Sequence, residues 1–183
     1  NVKLRKEIAI AIRECLNHEG IFGALVSHGS STVPQYIVDE INALGGCLSN
    51  AHGISIEELK AAIPCGINKI NVDTDIRLAV TRNMKEYFAA RPEKRTSSSV
   101  GSIYDLLEAK REQFDPRVFL PPIMDTVMYG QIPNQDVADI VDCVERGVKE
   151  VVGTLIVEFG SFGRAPLVEQ IGPEEMARRY KNA

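Results

Sequence analysis

Two short apolar runs, "IFGALVSHG" (residues 21–29) and "INKINVDTD" (67–75), constrain this 183-residue chain more than any other feature. Each is rich in β-forming residues, each ends in a polar cluster, and each lies between stretches with helical periodicity. Leu4, Ile8, Ala11, Ile12, Cys15 and Leu16 fall on one helical stripe that Gly20 stops. "PQYIVDEINALGG" opens on a first-turn proline and closes on glycines. In "SIEELKAAIPCG", Ser55 and Glu58 form a capping box and Pro64 ends the run. Ile76, Val80, Met84 and Phe88 then recur at helical spacing directly after the second run. The order helix, strand, helix, strand, helix predicts parallel β/α units with buried strands rather than hairpins. In such units ligands gather at the carboxyl ends of the strands.

Beyond that unit, "RTSSSVGS" (95–102) reads as a linker. It is followed by helical segments over 103–113, 118–127 and 135 to about 159, and by a short charged helix or frayed end at "EEMARRYKN". Lys and Arg number 21 against 25 Asp and Glu, a net charge of −4, so nucleic acid and anionic membranes are poor partners. No apolar run approaches the ~20 residues of a membrane helix. The four cysteines, Cys15, Cys47, Cys65 and Cys143, show no paired spacing and read as reduced thiols, which points to the cytoplasm. The first residue is Asn1 rather than methionine, which suggests a chain cut from something longer.

The two strand ends carry the candidate chemistry. His28 closes the first: it is either a strand-capping imidazole or a metal ligand, and one histidine does not make a metal site. His18 and His52 read as a helix-end residue and a loop residue. Gly29, Ser30 and Ser31 offer backbone N–H groups and two hydroxyls that could wrap a phosphate, or simply form a turn. At the second strand end, Asn71 and Asp73 share a face, and Thr74 and the following helix N-terminus add donors for an anion. Alternatively Asp73, Thr74 or Asp75 caps that helix. Arg77 in the first turn opposes the helix dipole, so either a phosphate or an ion pair with Asp73 or Asp75 must compensate it. Together the two clusters point to a phosphorylated small molecule.

Four ordered segments, "LVSHGSSTVPQYIVDEINALGG", "GISIEELKAAIPCGINKINVDTDIRLA", "FDPRVFLPP" and "VEFGSFGRA", resemble the last part of a class II, metal-dependent fructose-1,6-bisphosphate aldolase. The resemblance implies an α/β fold: the C-terminal part of a (β/α)8 TIM barrel, its last two β/α units, with a C-terminal helical extension. A single partial domain then divides into barrel units over 1–94, an insertion over 95–113 and the extension over 114–183, with a further insertion near 128–146. By resemblance His28 is one of three histidines on Zn2+. Gly29 and Ser30 hold the C1 phosphate near a monovalent cation, and Asn71 stands beside the reacting carbons. Asp73 and Thr74 join the phosphate, while Arg77 and Arg117 bind the C6 phosphate, Arg117 reaching over from a neighbouring subunit.

The implied reaction is reversible cleavage of fructose 1,6-bisphosphate to dihydroxyacetone phosphate and glyceraldehyde 3-phosphate, with the metal as Lewis acid for the enediolate. Implied partners are the sugar phosphate and further copies in a homodimer or larger assembly. The alternatives are a tagatose-bisphosphate aldolase, or a non-catalytic phosphate-binding or oligomerisation fragment. A complete barrel takes ~250 residues, and the family's other two zinc histidines and its acid/base aspartate have no matching motif here. The chain alone is therefore expected neither to hold zinc tightly nor to cleave substrate.

Overall fold

A computed structural model describes residues 3–21, 23–49, 52–168 and 170–181. Its element order is α1 (Lys6–His18), β1 (Leu25–Ser27), α2 (Gln35–Ala43), α3 (Ile56–Ala62), β2 (Ile67–Ile70) and α4 (Thr74–Ala90). It continues with α5 (Gly101–Ala109), α6 (Pro116–Phe119), α7 (Pro121–Met128), α8 (Gln135–Glu158) and α9 (Pro173–Lys181). The strands pair in parallel, with Val26 opposite Lys69 and Ser27 opposite Ile70. The α2–α3 crossover between them is what parallel pairing requires. Local signals account for several boundaries: the Ser55 hydroxyl accepts from the Glu58 N–H to start α3, and Asn134 does the same for Val137 at the head of α8. No helix among the described residues is long and apolar enough to cross a membrane.

The core lies among the helices, not around the strands. α4 is buried on several faces and serves two apolar clusters. One packs Val80, Met84 and Phe88 against Ile103 and Leu107 of α5, Phe119 of α6 and Ile140 of α8. The other packs Leu78 and Ala79 against Ile37 and Ile41 of α2 and Val151 of α8. The polar residues of α4 that share this interior are mostly tied down. Thr81 Oγ1 donates to the Phe114 carbonyl at 2.8 Å and Asn83 Nδ2 to the Cys143 carbonyl at 3.1 Å. Arg82 pairs with Glu40 of α2 at 2.7 Å and with Glu150 of α8.

The apolar stripe of α1 lies in the open: Ile8 and Ile12 are exposed and α1 has no buried residue. Three expectations need correction. The strands are likewise only half covered, Val26 being exposed, because a sheet of two strands has no neighbours to enclose it. The segment read as one helix over 118–127 is broken into α6 and α7 at Leu120, since Pro121 and Pro122 supply no N–H to carry the ladder through. The serine-rich linker is largely structured. A 3-10 turn occupies Pro92–Thr96, and the Ser97 hydroxyl donates to Asp136 at 2.6 Å.

Candidate active site

The two strand tips converge. Beyond the last paired strand residues the ladder continues, Asn71 N–H donating to the Ser27 carbonyl at 2.9 Å and Ser30 N–H to the Asn71 carbonyl at 3.3 Å. This sets His28 beside Asn71, with the Asn71 amide 3.2 Å from His28 Nδ1. Lys69 Nζ lies 2.8 Å from Asn71 Oδ1 and can only donate, so the amide nitrogen faces the imidazole. The imidazole itself is exposed at the mouth of the strands.

The loop after His28 is held from three sides. Gly29 adopts φ +64°, and a side chain added there would meet nothing within 4 Å, so open space lies above its backbone. The Ser31 hydroxyl accepts from the backbone N–H groups of both Asp73 and Thr74 at 3.1 Å, which makes Ser31 the cap of α4. Below it, the Asp75 carboxylate, 1% exposed, accepts from Thr32 N–H at 2.9 Å, Thr32 Oγ1 at 2.7 Å and Val33 N–H at 2.9 Å. Val33 sits at φ 51°, an uncommon conformation for a β-branched residue, and this clamp holds it there. On the far side, Ile54 N–H donates to the Ser31 carbonyl at 3.1 Å. Gly53 lies so close that a Cβ would come within 2.0 Å of that oxygen.

Ser30 occupies a different place from the one its neighbours suggest. It is fully buried, with its hydroxyl 2.6 Å from Ser27 Oγ, so the hydroxyl at the mouth belongs to Ser31. Asp73 and Asp75 do not cap α4 through their side chains: Asp73 binds Arg77 (Nε to Oδ1, 2.8 Å) and Asp75 serves the loop. The ion pair that compensates Arg77 is thus real, and it is extended. Arg77 Nη1 also donates to Asp115 Oδ2 at 2.6 Å, and Arg117 closes on the same carboxylate through Nε at 3.0 Å and Nη2 at 2.6 Å. Arg117 therefore lies next to Arg77 within one chain. Of the two carboxylates that organise the site, the sequence offers Asp75 only as a helix cap or a partner for Arg77, and it does not single out Asp115. Only the "FDPR" context hinted at Asp115, whose side chain also caps α6.

The Arg117 side chain holds the Asp115 carboxyl down at about 2, helped by the Arg117 N–H and the Arg77 charge and opposed by burial. A depressed carboxyl contributes stability that is complete above pH ~4 and lost as pH falls through about 2. Arg117 is 69% exposed, so screening reduces the effect to roughly 1 kcal/mol. Urea unfolding at pH 2, 4 and 7 should show Asp115→Asn weakening the fold at pH 4 and 7 and not at pH 2. Equal losses at all three values would remove the ion pair as the cause.

Among the described residues, no group of three or more His, Cys, Asp or Glu converges as a metal site. His28 is a single imidazole donor, whereas a catalytic zinc needs three protein ligands. By themselves these residues do not fit such an ion.

Adjacent parallel strand tips, an open glycine, a hydroxyl over a helix N-terminus and two nearby arginines thus gather at the strand ends of a β/α protein, the place where ligands bind in such folds. The chain belongs to the class II fructose-bisphosphate aldolase family: the model "Fructose-bisphosphate aldolase class-II" matches residues 1–164. It is 32% identical over 156 residues to the fructose-bisphosphate aldolase of Nostoc sp., covering 85% of this chain and 32% of that protein. It is 30% identical over 173 residues to fructose-bisphosphate aldolase 2 of Cereibacter sphaeroides, covering 94% and 38% respectively. To the fructose-bisphosphate aldolase of Thermus caldophilus it is 36% identical over 141 residues, 77% of this chain and 33% of that protein. The chain thus spans about a third of these relatives. Its family implies a TIM-barrel fold, and the two parallel strands fit a part of one.

Proposed function

We propose that this chain supplies the last two β/α units of a class II aldolase barrel, over residues 1–94, with an insertion over 95–113 and a helical extension over 114–183. It would form the phosphate-gripping side of a site that cleaves fructose 1,6-bisphosphate. The observation that carries the reading is the 3.2 Å approach of the Asn71 amide to His28, on neighbouring strand tips beside the loop that ends in Ser31. The open backbone at Gly29 and the Ser31 hydroxyl grip the C1 phosphate, with Thr74 at the head of α4. The hydroxyl at the mouth takes the part that the resemblance gave to Ser30. Asn71 orients the imidazole and lies beside the reacting carbons. Asp73 and Asp115 hold Arg77 and Arg117 side by side, so their guanidinium groups are already placed for the second phosphate. Such remote contacts position the bond to be broken.

His28 would serve as a Zn2+ ligand only in company with donors beyond those described. The assembly is a cytoplasmic homo-oligomer, with a monovalent cation at the C1 phosphate. A chimera tests the whole reading: this chain replaces the matching third of the Thermus caldophilus relative, and the purified product is assayed with zinc. Cleavage of fructose 1,6-bisphosphate above that of tagatose 1,6-bisphosphate is expected, with an Asn71→Ala version about 100-fold slower, the order of effect for removing one hydrogen-bond donor at the reacting centre. A folded, zinc-loaded chimera that cleaves neither sugar overturns the proposal.

A further inference from the structure

α4 carries one buried charge that neither the candidate site nor an ion pair uses. Lys85 is 5% exposed, and its Nζ is buried with no hydrogen-bond partner. It lines a cavity of about 60 Å³ between α4 and the segment that follows it, together with Phe88, Arg95, Tyr104, Leu107 and Glu108. A buried ammonium is held in one of three ways: by an ion pair, by loss of its proton, or by a bound anion.

The ion pair is missing. The carboxylate that lines the same cavity, Glu108, is engaged with Arg111 one turn along the chain, and among the described residues Lys85 forms no salt bridge. Burial pushes the Lys85 amine downward, as does the Arg111 charge, with Glu108 opposing both. The charge lining the cavity is positive: Lys85 and Arg95 stand against Glu108. Arg95 donates from Nε to the Phe88 carbonyl at 3.2 Å and lies over the Tyr104 ring at 5.1 Å, which fixes its guanidinium at the cavity wall. Its terminal N–H groups bond to none of the described residues. The space takes on the order of four waters, too little for a sugar phosphate and enough for one small ion.

We propose that this cavity binds a small inorganic monoanion, a halide or a small oxyanion of the same charge, on Lys85 Nζ with Arg95 beside it. The ion neutralises the interior of α4 and fastens α5 over it. The site is separate from the strand tips and independent of the aldolase reading, because α5 and Arg95 belong to the segment read as an insertion. Bromide is the probe. Crystals of this chain soaked in sodium bromide should give an anomalous peak within hydrogen-bonding distance of Lys85 Nζ. In solution the melting temperature should rise when bromide replaces gluconate at constant ionic strength. Lys85→Met should melt higher than the wild type in gluconate, having lost an uncompensated charge, and should lose the bromide-dependent rise. If that variant fails to fold, the anomalous map decides alone. Water only in the cavity of soaked wild-type crystals, or a full bromide response in Lys85→Met, overturns the proposal.

Discussion

Replacing Asp75 with alanine should cost roughly 3–5 kcal/mol of stability and abolish the binding of inorganic phosphate at the strand tips. The carboxylate is almost completely buried and accepts three hydrogen bonds from Thr32 and Val33. Charge-assisted bonds contribute ~1.5–3 kcal/mol each, and their loss leaves two backbone N–H groups without acceptors inside the protein. The sum is not additive, which is why the expected total lies below three times the single value. Asp75 also stands in the first turn of α4, where a negative charge is favourable by up to ~1 kcal/mol. Its removal frees Val33 from φ 51°, and the loop then relaxes away from the position that sets Ser31 over Asp73 N–H and Thr74 N–H. Urea denaturation reads the first effect and a 31P NMR titration the second. Asp75→Asn provides the control: it retains shape but must turn one N–H toward a donor, so it should lose most of the stability as well. Alanine within 1 kcal/mol of wild type, with phosphate binding intact, would show that the loop holds itself.

What the sequence made legible was whatever is encoded within one turn or one strand. Ser55 with Glu58, Pro34 at the head of α2 and the 80-84-88 spacing of α4 each report on neighbours a few residues away, and each fell where the structure has it. The strand ends were visible for the same reason, because a run of β-forming residues stops at His28 and again at Asn71. What stayed hidden depends on pairings that cross the chain. Asp75 looks like a helix cap until Thr32, 43 residues earlier, is folded against it. Ser30 and Ser31 are chemically identical, and only the bend at Gly29 decides which hydroxyl faces inward. The apolar stripe of α1 was read correctly as a stripe; its exposure follows from the limited number of surfaces this chain offers to cover it. Arg82, a charged residue inside a helical run, gave no sign that Glu40 and Glu150 would meet it from two other helices.

Gly147→Ala sets two effects of opposite sign against each other. Gly147 lies inside α8, where alanine is favoured over glycine by about 1 kcal/mol on helix propensity alone. Yet a Cβ at this position would lie 2.7 Å from the Val80 nitrogen, 2.9 Å from its Cα and 3.0 Å from the Ala79 carbonyl carbon. These are backbone atoms in the buried centre of α4, so no flexible side chain can yield. The two helices must separate, and the separation acts on both apolar clusters at once, since α4 and α8 contribute to each. Overpacking of this kind costs ~1–3 kcal/mol in an interior. Loosening Ile140 and Val151 against their partners adds further loss, because contacts at close-packed interfaces weaken steeply with small gaps. The clash outweighs the propensity, and the net expectation is destabilisation by roughly 2–4 kcal/mol. Gly153, six residues along the same helix, has nothing within 4 Å of an added Cβ. Gly153→Ala should therefore be stabilising by close to the propensity value. Chemical denaturation of the two variants side by side gives the answer: if both are stabilised alike, the close approach of α8 to α4 at Val80 does not exist in solution.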